Sequence, residues 1–344
     1  MKWKILGMGA IAALLLAGSA ARADGQLHIF NWGDYTNPKL IEKFEKAYNV
    51  KVTLDSYDSN ETMLAKVRAG HSGYDIVVPS DYMVKIMIGE GMLAETKPNQ
   101  MSNFKNMDPR WVDVYWDPGR NYTVPWQIGL TSFTVNTAKY KGDIDTYAIL
   151  FDTPAELRGR VNMLPDMNSI IHAAERYLGL PRCGSDPAAL KKINTLLQNA
   201  KKNYWRTFDY DTIGKLTSGD VDASENWNGY SWRARQQNPT MKFAYPKEGI
   251  EGFMDNVSVL KDAPNIENAK LFQNFIMDPQ NAAMISDFAR YNNGIAGSEK
   301  YLEPSFANAP EIKSPPGAPK PEFVPPCPKN VNDVYNKIWT ALLK

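Results

Sequence analysis

Residues able to do covalent or metal chemistry are scarce in this chain of 344 residues, which holds three histidines and two cysteines. His28, His71 and His172 lie far apart, and none completes HExxH or another closely spaced ligand pair. GxSxG, CxxC and a strand-to-helix GxGxxG are missing. The IGKLT stretch, Ile213 to Thr217, has a Gly-Lys pair without the earlier glycine and the adjacent Ser/Thr of a phosphate loop. An enzyme is therefore a distant alternative, with no metal and no cofactor expected. Net charge is lacking too, at +1 for the whole chain, which argues against nucleic acid as a partner. No apolar run reaches the roughly 20 residues that span a bilayer. The run that comes nearest, Ile5 to Ala17, follows Lys2 and Lys4 and precedes Ala21 and Ala23 in an A-x-A pattern. This is the pattern of an export signal over residues 1–23, cleaved after Ala23, and it implies a periplasmic protein. No cysteine follows the run, so lipid attachment there is excluded. In an oxidising compartment Cys183 and Cys327 suit a single bridge, a pairing that the sequence alone leaves open.

What is present is an alternation of short β-rich runs and amphipathic stretches. LHIFNW, PKLIEKFEKAYN, VKVTLDSY, SNETMLAKVRAG and YDIVVPS follow one another in β-α-β-α-β order. Such an order predicts a mostly parallel sheet covered by helices. The pattern resumes with GRVNMLPD, SIIHAAERYLG and PAALKKINTLLQNAKKN. Between the halves, NYTVPWQIGLTSFTVNT is extended with no helical period, and FMDNVSVL is strand-like again. These two stretches predict two crossings between lobes. The expected division is a first lobe over 24–132 with a return over 256–300, and a second lobe over 133–255. A C-terminal segment, 301–344, is proline-dense before a closing helix and is expected to pack on the second lobe.

Ligands of open parallel sheets bind beyond the carboxyl ends of the strands. NWGDY ends the first strand and VVPSDY the third, which brings Trp32, Asp34, Tyr35, Ser80, Asp81 and Tyr82 to one edge. Aromatic faces attract cations by roughly 0.5 to 2 kcal/mol each, and carboxylates and hydroxyls fix ammonium groups. A small amine is the implied ligand. Taken singly, each residue also has a plainer reading: Trp32 as core, Asp34 as a turn residue, Asp81 as a helix cap.

Several motifs in order carry a more specific signal: NWGDY, SYDSNETMLAK, YDIVVPSDY, WNG at Trp227 to Gly229 with ARQ at Ala234 to Gln236, PKEG at Pro246 to Gly249, FMD at Phe253 to Asp255, and RYNNG at Arg290 to Gly294. Through them the chain resembles the periplasmic spermidine/putrescine-binding proteins of polyamine ABC importers. The resemblance implies an α/β, two-lobed periplasmic-binding-protein fold, with mixed β-sheets flanked by helices and a hinge of two crossings. It implies a monomer that closes on an extended polyamine and delivers it to the permease of an ABC transporter. By motif, Trp32, Tyr35, Ser80 and Tyr82 match the first half of the family's site. Trp227 matches the wall of the methylene chain, Phe253 a second wall, Asp255 an acid that holds an amine, and Tyr291 a late tyrosine of the box.

Two positions depart from that pattern. Where spermidine binders carry an aspartate and a glutamate after the strand opening the second lobe, this chain has Asp166 and then Ser169. Where putrescine binders carry an aspartate three residues after the WNG-type tryptophan, it has Tyr230. Glu225, placed by alternation on the same face as Trp227, is the candidate replacement, its plainer reading being a solvated strand-end acid. A dication is expected if Asp255 serves one end and Asp166 or Glu225 the other. Agmatine is an alternative, and with one acid only a zwitterion such as γ-aminobutyrate fits, Arg206 being a candidate for its carboxylate.

Overall fold

The structure, a computed structural model, describes residues 25–344; the export signal read from the sequence lies outside them. The chain opens with β1 (Gly25–Trp32), α1 (Pro38–Tyr48), β2 (Val50–Tyr57), α2 (Asn60–Val67), β3 (Ile76–Val77) and α3 (Asp81–Gly89). A small hairpin of β4 (Asp113–Val114) and β5 (Asp117–Pro118) leads into the long β6 (Thr123–Asn136). The second half runs through α4 (Ala148–Phe151), β7 (Val161–Met163), α5 (Met167–Tyr177), α6 (Pro187–Asn203), β8 (Trp205–Phe208), α7 (Thr212–Thr217), β9 (Ala223–Trp227), α8 (Asn228–Gln237) and β10 (Met241–Phe243). Then come β11 (Ile250–Val259), α9 (Ile266–Ile276), α10 (Pro279–Ala289), α11 (Pro304–Ala307), β12 (Pro321–Phe323) and α12 (Lys329–Leu343).

Local chemistry sets many of these boundaries. Asn37, Ser59, Asp166 and Asp186 each cap a helix by accepting from a backbone N–H in its first turn, and Pro38 and Pro187 occupy first-turn positions where no N–H is needed. At α2 the Ser59 hydroxyl accepts from the Thr62 amide at 3.1 Å.

The strands form one continuous sheet in the order β2-β1-β3-β11-β6-β9-β7-β8, with β10 on β6 and β12 on β11. The sheet is mixed and runs through both wings, as the two expected crossings require, because the crossing strands, β6 and β11, pair antiparallel with each other along their length. On one side lies a parallel wing, β2-β1-β3, and on the other a parallel wing, β9-β7-β8. β6 has 14 residues, about 45 Å at strand rise, enough to take part in both wings.

Each wing has its own core. Leu27, Leu40, Phe44, Trp126, Val257 and Phe272 meet on one side of the first wing, and Met63, Val77, Val84 and Met254 on the other. Phe133, Phe151, Ile171, Leu197 and Tyr335 form the core of the second. The C-terminal segment touches both. β12 pairs with β11, Phe323 packs on Trp111 at 5.1 Å between ring centres, and α12 lies on α5 and α6. Cys183, after α5, is bonded to Cys327, just before α12, with Cα atoms 5.3 Å apart.

Candidate functional site

A cavity of about 380 Å³ opens between the wings. Its anchor is built where the sheet is irregular. β11 shifts register between Asp255 and Asn256, opposite Pro125 of β6, a residue that has no N–H to give a regular ladder. Just before the shift, Phe253 faces Gly129, where any Cβ would lie only 2.2 Å from the phenyl ring. The glycine therefore lets the ring lie against β6.

Asp255 is 4 % exposed and accepts two hydrogen bonds, from Tyr35 Oη at 2.8 Å and Ser80 Oγ at 2.7 Å. Burial raises its pKa to about 7, against the lowering effect of the two hydroxyls. Around it stand the aromatic residues. Tyr35 and Tyr291 meet edge to face at 5.6 Å, Phe253 and Tyr291 at 5.9 Å, and Trp227 and Tyr230 at 5.3 Å. Trp32 is fixed by its indole N–H, which donates to the Val78 carbonyl at 2.9 Å. Tyr82 donates to Glu61 at 3.0 Å. Of the twelve candidate residues, Trp32, Tyr35, Ser80, Tyr82, Asp166, Trp227, Tyr230, Phe253, Asp255 and Tyr291 line this cavity.

Asp34 and Glu225 do not. Asp34 is solvent-exposed in a left-handed turn conformation, φ 51°, between β1 and α1, so the plainer reading of it holds. Glu225 is neither a lining acid nor a solvated one. It is 2 % exposed and accepts from Ser169 Oγ at 2.5 Å and the Leu164 amide at 3.1 Å. Its carboxyl thus lies one layer behind the serine that stands at the departed glutamate position. Burial lifts its pKa to about 8, the Ser169 hydroxyl opposing and Asp166 adding to the rise. Asp166 accepts from the Ser169 amide at 2.9 Å, and burial raises it to about 6. Arg206 points away from the cavity into a surface ion pair with Asp220 at 2.8 Å.

Asp81, which the sequence placed at this edge, lines the wall beside Ser80, and two further lining groups escaped the reading of the sequence. Glu251 sits four residues before Asp255 on β11, with His172 Nδ1 at 3.2 Å and Arg176 Nη1 at 3.3 Å. Burial alone would raise it, but the charges of His172, Arg176 and Arg182 and the His172 hydrogen bond hold it down at about 2. Period-two spacing read back from Asp255 would have found it, since Glu251, Phe253 and Asp255 alternate. Last, the C-terminal segment contributes Val324, Pro326, Cys327 and Asn332, which no local signal ties to a cleft. Among the described residues no group of three or more His, Cys, Asp or Glu side chains is placed to hold a metal ion.

Two parallel wings joined by two crossing strands, with a cavity of aromatic faces and buried carboxyls between them, define a solute-capturing protein. The chain belongs to the bacterial extracellular solute-binding protein family, whose profile matches residues 39–314. It is 31% identical to the putrescine-binding periplasmic protein SpuD of Pseudomonas aeruginosa, over 96% of this chain and 97% of that one. It is 32% identical to a spermidine/putrescine-binding periplasmic protein of Escherichia coli, over 89% of this chain and 88% of that one. Among solved structures, the TpPotD lipoprotein of Treponema pallidum superposes with a TM-score of 0.82 at 25% identity, covering 92% of this chain and 99% of that one.

Proposed function

We propose that this protein captures a polyamine, putrescine or spermidine, between its wings in the periplasm and delivers it to the permease of an ABC importer. The observation that carries this reading is Asp255, a buried carboxyl held only by two neutral hydroxyls inside a ring of aromatic faces. An ammonium group supplies what that carboxyl lacks, a cationic partner, and the aromatic faces add attraction for the cation and shelter for the methylenes. The relatives named for polyamines support the same ligand class.

In this reading the protein acts as a monomer and as a binder, not a catalyst. The first lobe comprises residues 24–132 and 256–300 and the second 133–255, the crossings running along β6 and β11. Contacts from both lobes to one ligand favour the closed form by their difference in affinity between the two states. Arg233 of α8 supports contact between the wings, donating to the carbonyls of Asp34 and Phe288 at 3.2 and 3.1 Å.

Calorimetry on refolded protein stripped of carried-over ligand tests the reading against putrescine, spermidine, agmatine and γ-aminobutyrate. Tight binding of putrescine or spermidine is expected. Binding of γ-aminobutyrate alone, or of nothing in this panel, overturns the polyamine assignment.

A further inference from the structure

Asp255 is a lining carboxyl without a cation, and the same cavity holds its mirror image. Arg182, in the loop between α5 and α6 beside the Cys183–Cys327 bond, is a lining cation without a carboxylate. Its Nη2 donates to the Pro325 carbonyl at 3.1 Å and lies 3.4 Å from His172 Nε2. The other two guanidinium nitrogens, Nε and Nη1, are shielded from solvent and meet no acceptor among the described residues. Arg176 of α5 shows what Arg182 lacks, with Nη1 3.3 Å from Glu251 and Nη2 3.4 Å from Glu322.

The acids around Arg182 are already engaged. Glu251 is taken up by His172 and Arg176, and Glu175 accepts from the Tyr335 hydroxyl at 2.5 Å. Burial lowers the Arg182 pKa, while Glu251 and Glu175 oppose that shift from beyond ion-pair reach. A buried donor with no acceptor is destabilising, and more so on a charged group. His172 fixes where this charge lies. Its Nδ1 is 3.2 Å from Glu251 and its Nε2 faces Arg182, so Arg182 stands one imidazole ring from Glu251. Glu251 in turn is four residues from Asp255, about 13 Å at strand rise. Asn332 and Asn336, four apart and so on one face of α12, bring side-chain amides to the same cavity.

Resting on the amine-binding reading above, we propose that Arg182 forms a carboxylate subsite, and that the cleft accepts amines bearing an acyl arm with a terminal carboxylate. The ammonium pairs with Asp255 and the carboxylate with Arg182. On binding, the carboxylate displaces the Pro325 carbonyl as the partner of the guanidinium and forms a two-pronged, charge-assisted pair. An arm that ends in a methyl group offers Arg182 no acceptor of this kind.

Calorimetry with putrescine, N-acetylputrescine and N-succinylputrescine, on the parent and on Arg182→Gln, tests this. The two amides share one ammonium and one amide bond and differ at the end of the arm. The parent is expected to bind the succinyl amide about tenfold or more tightly than the acetyl amide. In the variant that ratio is expected to fall to near one, whatever the change in putrescine affinity. Equal binding of the two amides by the parent, binding of putrescine but neither amide, or a ratio that survives in the variant overturns the proposal. If the variant binds none of the three, Arg182→Lys decides: a retained preference for the succinyl amide supports the subsite, and equal or absent binding of the amides overturns it. A parent that binds none of the three overturns the polyamine reading itself, and this proposal falls with it.

Discussion

Asp255 and Glu251 sit on one strand, alternate onto the same cavity and are both buried carboxyls, yet their acidities move in opposite directions. Asp255 rises to about 7 and Glu251 falls to about 2. The difference lies in what touches them. Hydroxyls hold Asp255 in place without neutralising its charge, whereas His172 and Arg176 give Glu251 a built-in counterion. A ligand cation gains most at the carboxyl that has no internal cation, because it replaces a proton there instead of competing with an ion pair. One face of β11 thus separates a residue that receives ligand from one that holds the wall together.

The comparison breaks most visibly at Asp255→Asn. With an ammonium left unpaired among aromatic faces, polyamine affinity is expected to fall by about 100-fold or more, read by calorimetry. Retained affinity would move the anchor elsewhere. The same change is expected to raise the melting temperature of the empty protein above pH 7. A carboxyl whose folded pKa stands above the unfolded value of about 3.9 costs stability as pH rises through that window, and the amide carries no such cost.

A pH series sharpens the contrast without mutation. Below pH 7 Asp255 holds its proton, and Asp166 does so below about 6, while a polyamine stays charged. Affinity is expected to rise from pH 5 to pH 8, by at most about tenfold per unit for the anchor alone. A flat profile would mean that the acids are already ionised in the empty cavity.

Glu251→Gln gives the opposite pattern to Asp255→Asn. It leaves Arg176 and His172 without their partner, and a loss of about 2 kcal/mol in denaturant unfolding is expected, with a smaller effect on binding. A larger loss in binding than in stability would make Glu251 a ligand group. Smallest is Ser169→Ala, which removes the hydroxyl that favours ionised Glu225. A two- to fivefold loss of affinity is expected by calorimetry, and an unchanged value would detach Glu225 from the ligand altogether.

Much of this arrangement was legible in the order of residues. Period-two and helical spacing located β1 to α3, the long β6 and the closing α12, and the paired motifs NWGDY and VVPSDY pointed to the edge where Trp32, Tyr35 and Ser80 meet. Depth was not legible. Alternation gave Glu225 a direction but could not say that Ser169 stands in front of it, since that depends on how α5 docks on the end of β9. Nor could local pattern turn Asp34 outward, a matter of one left-handed φ, or tell a capping aspartate from a cavity-lining one at Asp81. The join between Cys183 and Cys327 is set by the packing of α12 on α5 and α6, across 144 residues of sequence.

That join reaches beyond stability. The cavity wall includes Trp32 from the first strand and Val324, Pro326 and Cys327 from near the chain's end, so no N-terminal fragment holds a complete site. Until α12 docks and Cys327 joins Cys183, one wall of the cavity is missing, so the two ends of the described chain have to meet before the site is whole.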